Sequence, residues 1–414
     1  MAESKNSIEI DADRLWNTLN QSAAIGPGRT TGLNRQALSD DDKKMRDTFV
    51  AWCREAGCEI NVDCVGNIFA RREGADNTLP AVLMGSHLDT QIAGGRYDGI
   101  LGVLAGLEVI RTLNDHAITT RRAIEVVCWT NEEGVRFQPP MMGSGAFCGV
   151  HETDWVREQS DADEIRFGDE LARIGYDGDH RQTFEDIDAY FELHIEQGPI
   201  LDEEGIHLGI VTGGYTSFGA QIAITGENAH SGPTPMALRK DALVGAALII
   251  AEVNKIGWEY APQGRTTCAR LEVSPNKYGI IADSAKITID VRHPEAAQAR
   301  AMLSKALDFV ATSKTAANVE ADVVKEWAFG DTGFDHELIA LVGRVATDLK
   351  VSHKQMLSAA GHDAYHLSKH VPTALIFTPC RDGITHNENE HIEANYTVPG
   401  VNVLLNAVLD RANR

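Results

Sequence analysis

Three apolar runs in this chain stop at ionisable residues, and that pattern constrains the fold more than any other feature. Ala81-Val82-Leu83-Met84 reads as a buried strand and leads into Gly85-Ser86-His87-Leu88-Asp89-Thr90. Ile124-Glu125-Val126-Val127-Cys128-Trp129 leads into Thr130-Asn131-Glu132-Glu133-Gly134, and a third run carries His194 late in Glu192-Leu193-His194-Ile195-Glu196-Gln197-Gly198. Asp98 opens the periodic segment Ile100-Leu101-Val103-Leu104-Leu107-Val109-Ile110, which predicts a helix. Strands that end in charge and feed helices describe an open α/β sheet, which presents its ligands at strand ends and in the loops beyond them.

The expected strands are 58–70, 80–88, 122–131, 188–196 and 373–379. Expected helices lie near 10–24, 99–114, 335–349 and 395–412, with another capped by Ser39 and ending at Gly57. Residues 151–187 read as either helix or loop. From about 213 the order becomes strand 217–226, helix 239–256, strands 266–275 and 284–292, helix 295–313 and strand 318–327, the βαββαβ order of ferredoxin-like domains. The predicted fold class is therefore α/β. A mixed-sheet catalytic domain, 1–212 and 330–414, receives an inserted ferredoxin-like lid or dimerisation domain, 213–329. A chain of 414 residues is also longer than one core usually sustains.

His87, Asp98, Glu133, His194 and His386 supply three imidazoles and two carboxylates, a set suited to a pair of divalent ions such as zinc, manganese, cobalt or nickel. Asp98 is the expected bridge between ions about 3.5–4 Å apart. Adjacent residues on extended backbone face opposite ways, so Glu133 could bind metal while Glu132 handles a proton as general base and then general acid. The same pair without that context is a solvated turn. Asp89 joins the catalytic candidates as a partner that orients His87, or else caps a turn. Gly143-Ser144-Gly145 lacks the spacing of a nucleophile elbow and reads as a flexible loop over the site.

The formal net charge of −22 excludes a nucleic-acid surface and an affinity for anionic membranes. Seven cysteines with no Cys-x-x-Cys pair argue for reduced thiols rather than a disulfide framework. The start of the chain, Met1-Ala2-Glu3-Ser4-Lys5, is polar, and no run approaches the length of a membrane span, so a cytoplasmic location is expected.

These motifs, together with Gly95-Arg96-Tyr97-Asp98-Gly99, Gly226-Glu227-Asn228-Ala229-His230-Ser231-Gly232, Asp290-Val291-Arg292 and Gly361-His362-Asp363-Ala364, give the chain a family resemblance from about residue 20 to its end. It resembles the metal-dependent amidohydrolases of the aminoacylase and carboxypeptidase superfamily. Within that superfamily it is most similar to the branch of N-carbamoyl-L-amino-acid hydrolases, beta-ureidopropionases and allantoate amidohydrolases. The resemblance implies two divalent ions on His87, Asp98, Glu133, His194 and His386, with Glu132 as the catalytic glutamate. It implies that His230 steadies the scissile carbonyl oxygen and that Asn276 and Arg292 hold a substrate carboxylate. The fork of Arg292 suits a carboxylate, and an ion pair with Asp290 or Glu295 is the alternative. Gln197, Gly361 and His362 are expected to line the substrate pocket. The family's smaller domain closes over the site and makes a homodimer, so His230 could act within its own subunit or across to the partner.

The expected reaction is cleavage of an N-carbamoyl amino acid to amino acid, carbon dioxide and ammonia. The beta-ureidopropionase and allantoate substrates are alternatives with the same mechanism. Aminoacylase or peptidase activity is disfavoured by His194, where the peptidase branches usually carry a carboxylate, and a metal-binding protein without catalysis is disfavoured by the intact Glu132.

Overall fold

The computed structural model describes residues 7–414; the polar stretch Met1–Lys5 lies outside the described residues. The chain divides into two compact units. Among the described residues the first comprises 7–212, 333–356 and 361–414, and the second 213–332 with 357–360.

The first unit is built on an eight-stranded mixed sheet. Its strands are β1 (Glu59–Val62), β2 (Ile68–Arg72), β3 (Ala81–His87), β4 (Ile124–Trp129), β5 (Ile187–Ile195), β6 (Leu208–Gly214), β12 (His353–Ser358) and β13 (Thr373–Thr378), in the order β1-β2-β4-β3-β5-β13-β6-β12. The central four, β4, β3, β5 and β13, run parallel, so their C-terminal ends share one edge. Every residue of β3, β4 and β13 is buried, which explains why they read as near-continuous apolar runs rather than alternating ones. Helix Ile100–Asp115 packs on β3 and buries an almost wholly apolar set of side chains, with Thr112 and Glu108 the polar exceptions.

The single strand expected over 58–70 is a hairpin instead. Asp63 accepts the amides of Val65 and Asn67, and Gly66 takes φ +83°, so the chain reverses between β1 and β2. Ser39 caps helix Asp40–Glu55 through the Asp42 amide, and Gly57 follows it at φ +81°. The ambiguous region 151–187 contains two short helices, Thr153–Glu158 and Phe167–Ile174, before β5 begins.

The second unit holds a five-stranded antiparallel sheet of β7 (Thr216–Thr225), β8 (Arg265–Thr267), β9 (Leu271–Ser274), β10 (Ser284–His293) and β11 (Glu320–Phe329). Its order is β11-β7-β10-β8, with β9 also pairing β10. Helices Ala242–Glu259 and Ala296–Ala317 cover one face and bury Ile222, Ile249, Ile287, Ile289, Met302 and Leu303 with it. The strand expected over 266–275 is broken in two. Three residues, 268–270, stand opposite two of β10, 288–289, and the extra residue makes a bulge. The helix expected over 239–256 begins later, because the Asp241 side chain accepts the Leu243 and Val244 amides and so caps it.

Candidate metal centre

The shared edge of the parallel strands gathers the ionisable residues. His87 is the last residue of β3, His194 the penultimate residue of β5, and the Glu132-Glu133 pair follows β4. His386 comes from the loop beyond β13, where it takes φ +49°. Asp98 stands just before helix Ile100–Asp115, behind a residue that must be glycine. Gly99 has φ +70°, and a Cβ there would lie 2.2 Å from Cε1 of His87.

Two groups of donors form around Asp98. His87, Asp98 and His194 make one, and Asp98, Glu133 and His386 the other, each with its ligand atoms within 4.8 Å of one another. Asp98 serves both through different oxygens. Oδ1 is 3.1 Å from His194 Nε2, and Oδ2 is 3.2 Å from His386 Nε2. The Nδ1 atoms of His87 and His194 each lie 2.9 Å from a backbone carbonyl, of Asp89 and of Ile195. Those bonds turn both Nε2 atoms toward the carboxylates and leave them as the ligand atoms.

Electrostatics follow from the burial. Burial opposes ionisation of Asp98, but hydrogen bonds and positive charge from His194 and His386 outweigh it and hold the carboxyl well below its usual range. Burial drives the His87 imidazole down to about 4. Burial also drives Glu133 up to about 8, helped by the negative charge of Asp98. Glu132 is pushed well above the usual carboxylate range by burial, then by Asp363 and Glu133. It belongs to neither donor group, yet its Oε2 lies 3.4 Å from His87 Nε2.

The donor set itself tests whether cations fit. Imidazole nitrogens of His87, His194 and His386 and carboxylate oxygens of Asp98 and Glu133 converge, a donor set that suits borderline divalent ions. Gln197 Nε2 donates to Asp98 Oδ1 and Oδ2 at 3.2 and 3.0 Å, while its buried Oε1 has no partner and remains available to a ligand.

Three expectations need correction. Glu132 and Glu133 do not leave an extended strand: β4 stops at Trp129 and Asn131 turns left-handed at φ +58°. The bend still sends Glu132 toward His87 and Glu133 toward His386, at 3.4 Å each. Asp89 orients His87 through its backbone carbonyl rather than its carboxylate, which instead accepts the amides of Glu132 and Glu133 at 3.2 and 3.1 Å. Gly143-Ser144-Gly145 is buried within helix Met142–Phe147, not a loop over the site, because a Cβ at Gly143 would meet Asn67 Oδ1 at 2.3 Å and Ser144 donates to Asp363.

The remaining candidates fall into two groups. His362 is buried with its ring 4.5 Å from that of His194, and Gly361 precedes it in the same unit. His230, Asn276 and Arg292 belong to the second unit. His230 and Asn276 are exposed, and His230 Nδ1 accepts the Gly232 amide. Arg292 forks onto Asp290 at 3.1 and 3.0 Å and donates Nη1 to the Ala359 carbonyl.

Sequence reasoning missed Glu192, Glu390 and Gln91. Glu192, in β5, takes hydrogen bonds from Ser86, Tyr190 and the Ala364 amide. Its place two residues before His194 on one strand puts both on the same face, and that spacing was the available signal. Gln91 donates to Glu133 Oε2 at 2.7 Å. Nothing periodic marks Gln91 or Glu390.

Known proteins carry the same arrangement of sequence and fold. Residues 83–410 match the model of peptidase family M20/M25/M40. The chain is similar to an N-carbamoyl-L-amino-acid amidohydrolase of Rhizobium meliloti, 40% identical over 412 residues that cover 100% of this chain and 99% of the other. A ureidoglycolate hydrolase of Arabidopsis thaliana is 30% identical over 410 residues, covering 96% and 86%. Among solved structures, an amidase of the hydantoinase/carbamoylase family from Burkholderia vietnamiensis superimposes with a TM-score of 0.93 at 43% identity, covering 99% of each chain.

Proposed function

Because this chain belongs to peptidase family M20/M25/M40 and is an amidohydrolase, we propose that it hydrolyses the ureido C–N bond of N-carbamoyl-L-amino acids, giving the amino acid, carbon dioxide and ammonia. One observation carries this reading on the structural side: Glu132, its side chain 12% exposed, stands beside the two donor groups without belonging to either, 3.4 Å from His87. A carboxylate so placed is free to move a proton.

His87, Asp98 and His194 would hold one divalent cation, and Asp98, Glu133 and His386 a second. Bound there, such ions supply Lewis-acid polarisation of the ureido carbonyl and make an attacking water more acidic. Glu132 takes the proton from that water as it adds to the ureido carbon, and returns it to the nitrogen of the departing amino acid. The carbamate that remains breaks down to carbon dioxide and ammonia. Burial and the neighbouring carboxylates Asp363 and Glu133 raise the proton affinity of Glu132, and cations bound to Asp98 and Glu133 would offset the carboxylate part of that effect, so that Glu132 can both take and return a proton. Asp89 fixes the Glu132 and Glu133 amides, so the base and a ligand keep their relative positions.

In this proposal Gln197, Gly361 and His362 line the ureido pocket, Asn276 and Arg292 hold the substrate carboxylate, and His230 steadies the developing oxyanion. Arg292 must release Asp290 to offer its full fork. The second unit acts as the closing and dimerising domain of a homodimer. Its exposed apolar side chains support that reading: Leu243 and Val244 on helix Ala242–Glu259, with Trp258 at 76% exposure on the same helix. The cysteines are all unpaired, which supports a reducing, cytoplasmic setting. Ureidoglycolate-type, allantoate and carbamoyl-beta-alanine substrates form the second reading, favoured by the relative named ureidoglycolate hydrolase. The higher identity to the carbamoyl-amino-acid enzyme ranks it behind the first.

Replacing Glu132→Gln tests the mechanism. Cation content should stay at the wild-type level while turnover falls at least about a hundredfold, the usual scale of a lost general acid–base. Turnover near wild type would remove Glu132 from the proton path.

A further inference from the structure

Glu390 is 4% exposed and has no counter-cation among its hydrogen-bond partners. Its Oε1 accepts the amides of Tyr97 and Asp98 at 2.9 and 3.1 Å. Its Oε2 lies 3.0 Å from the Thr385 hydroxyl, and that hydroxyl is also 3.2 Å from Oδ2 of Asp98. One carboxylate thus grips two separate stretches of chain: the turn that presents Asp98, and the residue next to His386. The fit is close on the far side as well. A Cβ at Gly95 would fall 1.9 Å from the Glu390 carboxyl carbon, so only glycine leaves room for it.

The two ends of this link matter unequally. Thr385 engages Oδ2, the oxygen that faces His386 rather than His194. His386 itself sits on a loop, left-handed at φ +49° and with its side chain 47% exposed, whereas His87 and His194 are fixed within buried strands. The donor group containing His386 therefore depends on something outside the sheet to hold its geometry. A ligand loop without such support loses cation affinity readily, since outer partners of metal ligands commonly contribute about 10–100-fold.

We infer that Glu390 is a positioning residue that, through Thr385, ties the His386 loop to Asp98 and so sets the cation site formed by Asp98, Glu133 and His386. This rests on the proposed pair of cation sites, and the experiment separates the two ideas. Cobalt(II) is titrated into the full chain by calorimetry and by its visible spectrum, and the binding step lost in His386→Ala identifies the site in question. Wild type taking up fewer than two ions per chain would remove the two-site premise itself.

With two ions in wild type, Glu390→Ala should weaken the His386 step at least tenfold and the other step less than threefold. Thr385→Val, which removes the hydroxyl at nearly constant volume, should weaken the same step in the same selective way, and it decides the matter if Glu390→Ala does not fold. Glu390→Gln should restore both steps to within threefold of wild type, because its amide oxygen still accepts the two amides and its NH2 can donate to Thr385. Wild-type affinities in Glu390→Ala and Thr385→Val, equal weakening of both steps, or a Glu390→Gln as poor as Glu390→Ala would each overturn the inference.

Discussion

Gly99 shows how single residues set this site. The His87 ring occupies the space where any other residue at 99 would carry its Cβ, and the backbone there adopts a positive φ. Gly99→Ala should therefore force the ring aside and cost about 1–3 kcal/mol of backbone strain. A calorimetric cation titration should show affinity lowered at least tenfold, with the loss centred on the step that uses His87 and His194; unchanged affinity would mean that the ring has room to move. Single residues were also the most legible level of the sequence. His87, Asp98, Glu133, His194 and His386 could be chosen because imidazoles and acids at the ends of apolar runs are unusual, and the structure draws them into two donor groups. Glu390 and Gln91 could not be chosen, because their partners are backbone amides and distant side chains that leave no local pattern.

Among elements, the long buried ones were readable and the turns were not. Strands β3, β4 and β13 are buried throughout and match the largely apolar runs that announced them. The hairpin hidden in 58–70 depends on Asp63 bonding amides two and four residues ahead, a local competition that hydrophobic patterning does not record. Helix Met142–Phe147 was misread because two glycines suggested flexibility, although Gly143 is there to let backbone and Asn67 approach.

The short helix Ala364–Leu367 carries a pH effect of its own. Burial, aided by Lys369, His151 and His370, depresses the His366 imidazole from 6.5 to about 4. Above pH 6.5 both folded and unfolded chains are neutral there, and stability is complete. Between 6.5 and about 4 the unfolded chain binds a proton that the folded chain refuses, so stability falls with pH by about 3 kcal/mol in total. Thermal melts of wild type and His366→Gln across that range should differ in slope, with the variant the flatter. Parallel curves would show that His366 is not held neutral.

At the scale of the whole molecule, the two units carry different kinds of information. The first concentrates buried charge at one sheet edge, and the second has a separate apolar core with exposed apolar side chains on helix Ala242–Glu259. Composition could indicate two domains from length, and the return of strand and helix signals near 330 could suggest an insertion. The boundary strands were beyond it: β6 and β12 pass into the residues where the units meet in sequence, and neither was expected. No helix among the described residues is long and apolar enough to cross a membrane.

The central question is whether this chain holds cations at that edge and uses them on a ureido group. The most direct measurement loads the purified protein with zinc, manganese or cobalt in turn, counts bound metal per chain, and follows ammonia release from N-carbamoyl-L-amino acids, carbamoyl-beta-alanine and allantoate. Two ions per chain, with fastest release from the N-carbamoyl-L-amino acids, is the expected result. A protein that retains no stoichiometric ion, or that binds ions and releases ammonia from none of these compounds, would contradict it.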